Sequence, residues 1–304
     1  MSSNDARRPV TAVIVTYRSA HTVLDTLAAA RRCHDAQLLD CIVVDNGSDD
    51  GTPGLLTRDL EWASTILTGR NNGFGRGCNI GLDHVTSAYT IFINPDATVE
   101  PDALRTMMNF MEANPHVGIV GPATITGSDH GLQGTGPHPT PASILRAAIP
   151  FRHDPLTIIV PGAAPFRTGW VCGAVFMVRT ELMKRLGGFD PRFFMYWEES
   201  DVCKRGDDLG FETWAIGTAV ASHHGGASSV DDNTRIFGCI GKHYYQSRRY
   251  YMVKHHGWLA ATIADIGEIV LLGLGAIYDV IRGRGLSRIR PRLQAALLSQ
   301  PERV

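Results

Sequence analysis

The sequence predicts an α/β fold built on a largely parallel sheet. Three observations carry this: continuous β-branched apolar runs, helix-like segments alternating with them, and polar residues gathered directly after the runs. Val10-Thr11-Ala12-Val13-Ile14-Val15 reads as a strand buried on both faces. Residues 21–32 follow with helical periodicity, and Cys41-Ile42-Val43-Val44 gives a second strand. Thr65-Ile66-Leu67 is the third and Tyr89-Thr90-Ile91-Phe92-Ile93 the fourth, with helix-like stretches at 77–85 and 101–113. Repeated strand–helix alternation over residues 10–120 implies a parallel sheet. Residues 121–165, rich in Gly, Pro, His and Thr, read as an irregular excursion. Order returns with a strand at 170–178, a helix at 198–209 and strand-like segments at 212–216 and 219–222. From Asp232 onward the chain reads as wholly helical.

Bulk composition narrows the function. With 304 residues, 44% hydrophobic and 19% charged, the chain has ample material for a core. A formal net charge of -1 offers no global field for nucleic acid. The six cysteines (Cys33, Cys41, Cys78, Cys172, Cys203, Cys239) contain no C-x-x-C pair, which fits reduced, buried thiols in a cytoplasmic protein. Residues 1–9 are polar, without the apolar core of a signal peptide, and read as a disordered lead-in.

Turn-forming and polar residues cluster after three strands: Thr16 and Tyr17, Asp45 and Asn46, Asn94 and Asp96. In open α/β sheets the ligand crevice lies at the carboxyl ends of the strands, so three strands aim chemistry at one place. Asp45 heads the turn Asp45-Asn46-Gly47-Ser48-Asp49-Asp50-Gly51-Thr52. Its carboxylate suits the N3–H of uracil or thymine, while a helix-capping turn is the alternative. The stretch from Gly69 to Gly81 lets backbone and helix N-terminal amides approach a diphosphate. It lacks the third glycine of G-x-G-x-x-G, where Cys78 stands, and no P-loop occurs, which disfavours dehydrogenase and P-loop readings.

Asn94-Pro95-Asp96 closes an apolar strand with one acid, a place for a divalent ion against a substrate diphosphate or simply a helix cap. Phe193-Phe194-Met195-Tyr196-Trp197-Glu198-Glu199-Ser200-Asp201 sets three acids behind an aromatic run. Like charges near apolar rings raise a carboxyl pKa, as a general base for a sugar hydroxyl requires. Acids also favour a helix N-terminus, and both readings can hold together. Ser222-His223-His224-Gly225-Gly226 offers histidine at a strand end, either a metal ligand or a satisfied histidine.

Taken in order, these motifs resemble the family 2 inverting glycosyltransferases of the GT-A fold, in particular the rhamnosyltransferase-like branch. The resemblance runs from Val10 to His256 and includes Gly173-Ala174 and Leu186-Gly187-Gly188-Phe189-Asp190. It implies a Rossmann-like nucleotide-binding mixed sheet flanked by helices, with a helical C-terminal extension. Residues 10–230 would form the catalytic domain, split at 120 into nucleotide-sugar and acceptor halves, and 231–304 the extension. It further implies a dTDP- or UDP-sugar donor, rhamnose preferred, a saccharide or lipid-linked acceptor, and Mg2+ or Mn2+ held by Asp96 and His223. Glu199 becomes the base, with Glu198 the alternative, where relatives carry Glu-Asp-x-Asp. Thr16, Tyr17, Asp45, Asn72, Gly73, Asn79, Asn94 and Asp96 are expected on the donor, and Gly173, Trp197 and Asp201 at the acceptor. Arg248 and Arg249 are expected either on phosphates or on a solvated helix face.

Residues 258–281 are strongly apolar but interrupted by Asp265, Glu268 and Asp279, and the longest clean run falls short of a span. Arg282, Arg284, Arg288, Arg290 and Arg292 follow. A helix lying on an anionic membrane is one expectation over 258–292, which would make the protein peripheral on the inner face of the membrane. A core or homodimer helix is the other. Two rival functions stay in view. A nucleotidyltransferase would need a glycine-rich loop after the first strand, where Thr16-Tyr17-Arg18-Ser19-Ala20 stands instead. An inactive sugar-nucleotide-binding subunit would have no use for Asp96 and Glu199.

Overall fold

The computed structural model describes residues 8–58, 60–127, 131–149, 156–224, 237–283 and 292. The apolar runs become β1 (Val10–Thr16), β2 (Leu39–Asp45), β3 (Ser64–Leu67) and β4 (Tyr89–Ile93), separated by α1 (Val23–Asp35), α2 (Thr52–Arg58) and α3 (Phe74–Leu82). Every residue of β1 is buried, as its unbroken β-branched character requires, and it pairs in parallel with both β2 and β4. Successive residues of β1 point to opposite faces. Val10, Ala12 and Ile14 join the core under α1 and α4 (Pro101–Ala113), whereas Val13 and Val15 pack with Cys78 and Leu82 of α3. α4 carries its proline in the first turn, where the missing N–H has no helical partner to lose.

After β4 come β5 (Ala97–Val99), β6 (Val117–Thr126), β7 (Gly131–Leu132), β8 (Gly134–Thr135), α5 (Pro141–Ala148), β9 (Thr157–Ile158) and β10 (Phe166–Thr168). The expected irregular excursion at 121–165 is therefore corrected at its start, because residues 121–126 complete β6 in the middle of the sheet. Gly121 is a packing glycine: a Cβ there would lie 2.7 Å from Cβ of Val171. The chain continues through β11 (Val175–Arg179), α6 (Thr180–Leu186), α7 (Glu198–Asp208), β12 (Glu212–His223), α8 (Phe237–His256) and α9 (Trp258–Ile281). The strand expected from Trp170 begins only at Val175, and the two segments at 212–216 and 219–222 are one strand with a register shift between Ile216 and Val220.

The main path of the sheet has the order β10-β12-β6-β11-β4-β1-β2-β3. β11 runs antiparallel to both β4 and β6, so the sheet is mixed rather than wholly parallel. One small pairing matters most for function. β5 lies antiparallel to the end of β12 and sets Ala97 opposite His223, which delivers Asp96 and His223 to one point from distant parts of the chain.

α8 and α9 pack on each other and, through α5, on the sheet-bearing body around Ile144, Phe193, Tyr251, Met252, Ala261 and Ala264. Cys33, Cys41, Cys78, Cys172 and Cys203 are free thiols. The Cys239 side chain, residues 1–7, Gly225, Gly226, Arg284, Arg288 and Arg290 lie outside the described residues.

Candidate active site

A cavity of about 330 Å³ opens at the carboxyl ends of β1, β2 and β4. Val15 and Tyr17 line it from β1 and its following turn, Asn46 from β2, and Asn94, Pro95 and Asp96 from β4. Gly173, Glu198, Glu199 and His223 complete the chemistry-bearing wall, with Gln133, Cys172, Met195 and Tyr196 between them. Motifs read separately in the sequence thus meet in one recess.

One side of the cavity floor is held by Asn46. Its Nδ2 donates to Oδ1 of Asn71 at 3.2 Å and to the Gly73 carbonyl at 3.0 Å, while its Oδ1 accepts from the Asn72 amide at 3.1 Å. From sequence Asn46 stood out only as a polar residue behind the second strand, with no contact assigned to it. Asp45 itself is buried and does not line the cavity. Its Oδ2 accepts from Oγ1 of Thr16 at 3.0 Å and its Oδ1 from the Ser48 amide at 3.0 Å, so it and Thr16 fix the turn. Asn72 and Asn79 face a neighbouring groove rather than the cavity. Asn79 spends both ends of its amide on the backbone of Phe189, at 2.8 Å each.

Gly73 is required by geometry: its φ is +84° and a Cβ would stand 2.4 Å from the Phe194 carbonyl oxygen. The neighbouring Phe74 amide donates to that same oxygen at 2.9 Å, joining the glycine-rich loop to the aromatic run. Gly73→Ala is expected to cost at least about 2 kcal/mol, from strain and overlap together, measured as a lowered urea midpoint.

The aromatic run makes an unusual turn. Tyr196 and Trp197 both adopt left-handed φ, +68° and +73°, a conformation costly for bulky residues. It is held by the Asp201 amide on the Trp197 carbonyl at 2.9 Å and by Ser247 Oγ on the Met195 carbonyl at 2.8 Å. The turn sets Glu198 and Glu199 as the first residues of α7, at the positive end of its dipole. Glu199 lies against Gly173, where a Cβ would come 3.3 Å from its carboxyl carbon, so the glycine makes room for the acid. Burial pushes the Glu199 carboxyl up to about 7. Burial and the neighbouring Glu199 charge hold Glu198 well above the carboxylate range, and its Oε2 is buried without a hydrogen-bond partner.

Four expectations move elsewhere. Trp197 packs between Tyr244 and Tyr251, its ring tilted against theirs at 5.6 and 5.2 Å, instead of lining the cavity, because the left-handed turn swings it toward α8. Asp201 is fully buried and binds Arg205, Lys254 and His255 at 2.7, 2.6 and 2.8 Å. Burial alone would raise its carboxyl, but those partners hold it below the ordinary value. It fastens α7 to α8 and makes no acceptor wall. Arg248 and Arg249 are each only 5% exposed, which excludes a solvated face. They pair with Asp265 and Glu268 of α9 and do not line the cavity where phosphate contacts were expected of them.

Asp96 and His223 remain as the pair able to hold a cation. Oδ1 of Asp96 is buried, lacks a hydrogen bond and lies 3.1 Å from Nε2 of His223. Nδ1 of His223 is 3.0 Å from the amide of Gln133, whose Oε1 is also buried and unpartnered. Rotating that amide by half a turn would let Nδ1–H donate to Oε1 and free the Nε2 lone pair. Among the described residues no group of three metal-ligating side chains occurs. One carboxylate and one imidazole fit a divalent cation whose shell is completed by phosphate oxygens and water.

A mixed sheet with acids, a histidine and a glycine-rich loop at its strand ends fits a glycosyltransferase of the GT-A fold. The chain belongs to glycosyl transferase family 2, whose model matches residues 11–183. It is 24% identical over 275 residues to N-acetylglucosaminyl-diphospho-decaprenol L-rhamnosyltransferase of Mycobacterium tuberculosis, covering 83% of this chain and 86% of that one. Among solved structures it resembles the mannosyltransferase PcManGT of Pyrobaculum calidifontis in complex with GDP-Man and Mn2+. That likeness has a TM-score of 0.54 and 17% identity, over 95% of this chain and 85% of the other. GalNAc-T7 with UDP, GalNAc and Mn2+ aligns at a TM-score of 0.57 and 12% identity, over 93% and 59%. At these identities the structures show the shared fold.

Proposed function

We propose that this glycosyltransferase moves rhamnose from dTDP-rhamnose to a hydroxyl of a lipid-linked saccharide on the cytoplasmic side of a cell membrane, with inversion at the anomeric carbon. The observation that carries the reading is the meeting of Glu199, Asp96 and His223 in one cavity floored by Asn46 and Tyr17. The sugar and acceptor rest on the resemblance to the rhamnosyltransferase, whose name specifies a diphospho-decaprenol acceptor.

In the reaction, Glu199 as carboxylate accepts the proton of the acceptor hydroxyl as its oxygen attacks. Gly173 leaves the space in which acid and hydroxyl meet. Glu198, kept protonated, turns its unpartnered oxygen into a hydrogen-bond donor for a sugar hydroxyl. Asp96 and His223 would hold the divalent ion, which when bound neutralises charge developing on the leaving diphosphate. Because Glu199 titrates at about 7, kcat/KM for the acceptor is expected to rise about tenfold per pH unit below that value and level off above it. A flat profile between pH 5 and 8 would remove Glu199 from the base role.

Donor class is tested by thermal shift with dTDP-rhamnose, UDP-sugars and GDP-mannose, each with and without Mn2+. At about one hundred times Kd the true donor adds about 2.7 kcal/mol to stability. The expected order is dTDP-rhamnose with Mn2+ above dTDP-rhamnose alone, and GDP-mannose without effect. A shift with GDP-mannose only would refute the pyrimidine assignment.

A further inference from the structure

α9 is turned inside out relative to an ordinary surface helix. Its acids Asp265, Glu268 and Asp279 are buried on the protein side, in company with Ala261, Ala264, Gly275 and Ala276. Arg248 reaches Glu268 at 2.7 Å and Asp265 at 3.2 Å, Arg249 reaches Asp265 at 2.6 Å, and Arg292 reaches Glu268 at 2.8 Å. The small residues allow close approach, so that a Cβ on Gly267 would fall 2.6 Å from Leu145 of α5. This ionic cluster locks one face of α9 to α8 and leaves the opposite face outward.

Between its aromatic ends the outward face is aliphatic. Leu259, Ile263, Ile266, Val270, Leu274, Ile277 and Ile281 are each 55–78% exposed. Each follows the last by three or four residues, which places them in one stripe along a 24-residue helix, about 36 Å long. Trp258 and Tyr278 stand near the two ends, both exposed, and Arg282 follows the last turn. Apolar patches of this extent on soluble surfaces mark a partner. Aromatic residues at the ends and cations beyond them match a bilayer interface, where rings sit at headgroup depth and arginines meet anionic phosphates. The sequence adds Arg284, Arg288 and Arg290 within ten residues of Arg282.

α9 is also long and apolar enough to cross a membrane by length and composition. The burial of its acids against α8 argues for the other geometry, because a crossing helix would have to leave Arg248 and Arg249 without their partners. We propose that the outward stripe of α9 lies in the plane of an anionic membrane surface, its aliphatic side chains among the lipids and its ionic face on the enzyme. This deepens the lipid-linked acceptor reading given above, but the contact itself is between protein and bilayer and does not depend on which sugar is moved.

The test is flotation of the full chain with vesicles of phosphatidylcholine alone or mixed with phosphatidylglycerol. Expected is flotation with the mixed vesicles, weakened about tenfold without the anionic lipid, and release at high salt combined with alkaline carbonate. Ile266→Gln/Leu274→Gln should abolish flotation with an unchanged melting temperature, since both side chains already face outward. Three results would overturn the proposal: no flotation of the parent chain, flotation of the variant equal to the parent, or parent chain that resists carbonate and so spans. A parent dimer in solution that the double variant converts to monomer, without flotation, would assign the stripe to a second copy. Transfer of sugar to a water-soluble acceptor, assayed on the same preparations, tests the catalytic reading separately.

Discussion

Glu199→Gln is expected to lower kcat by about 10²–10⁴-fold while leaving the affinity for the donor nearly unchanged. The amide keeps the shape of the carboxyl against Gly173 but cannot accept the acceptor's proton. Glu198→Gln should behave differently, changing kcat and donor KM only modestly, because a neutral amide still offers hydrogen-bond donors where Glu198 stands protonated. A stability measurement separates the two roles from misfolding. The Glu199 carboxyl is raised from 4.5 to about 7 in the folded chain. Between those values the folded state holds a proton that the unfolded state has released, so this group's contribution falls as pH rises and is lowest above about 7. Glu199→Gln removes that liability. Its melting temperature should match the parent's below pH 4.5 and exceed it at pH 8. A variant that transfers sugar at the parent rate would pass the base role to another group.

Arg248→Ala is expected to destabilise the protein by about 3–5 kcal/mol, because it strips a buried guanidinium from Glu268 and Asp265. Urea unfolding reads this as a lowered midpoint. The double change Arg248→Met/Glu268→Leu should recover much of the loss, since it removes both charges at once. Donor KM, measured where the single variant is still folded, should not move. A tenfold rise in donor KM with unchanged stability would instead return Arg248 to the phosphates.

That pair of outcomes also marks what the sequence could and could not disclose. Runs such as Val10–Thr16 were legible because burial on both faces leaves no polar alternation to confuse them. The helix Pro101–Ala113 was legible from its proline and its periodicity. Residues 121–126 were not, since Gly121 and Pro122 resemble a loop until Val171 is seen against the glycine. Three acids behind an aromatic run stood out in the sequence as one acid for the cleft and others for the helix cap; in the fold Glu198 and Glu199 both line the cavity, while Asp201, two residues beyond Glu199, faces away on the helix toward Lys254 and His255. Arginines on a helix give no sign of whether acids lie opposite, and Asp265 and Glu268 looked only like interruptions of an apolar segment. In the fold the two puzzles answer each other. Gln133 carried no signal at all, because only the pairing of β6 with β12, with the Gln133 amide on the Thr124 carbonyl of β6, brings it beside His223.

The central claim is that one displacement at an anomeric carbon occurs in the cavity between Asp96, His223 and Glu199. It is tested most directly by incubating the purified chain with dTDP-rhamnose, Mn2+ and a polyprenyl-diphospho-N-acetylglucosamine acceptor, then determining the anomeric configuration of the product by NMR. The expected product carries rhamnose with configuration inverted relative to the donor, and Glu199→Gln yields none above background. Retention of configuration, or no transfer from any dTDP- or UDP-sugar that demonstrably binds, would contradict it.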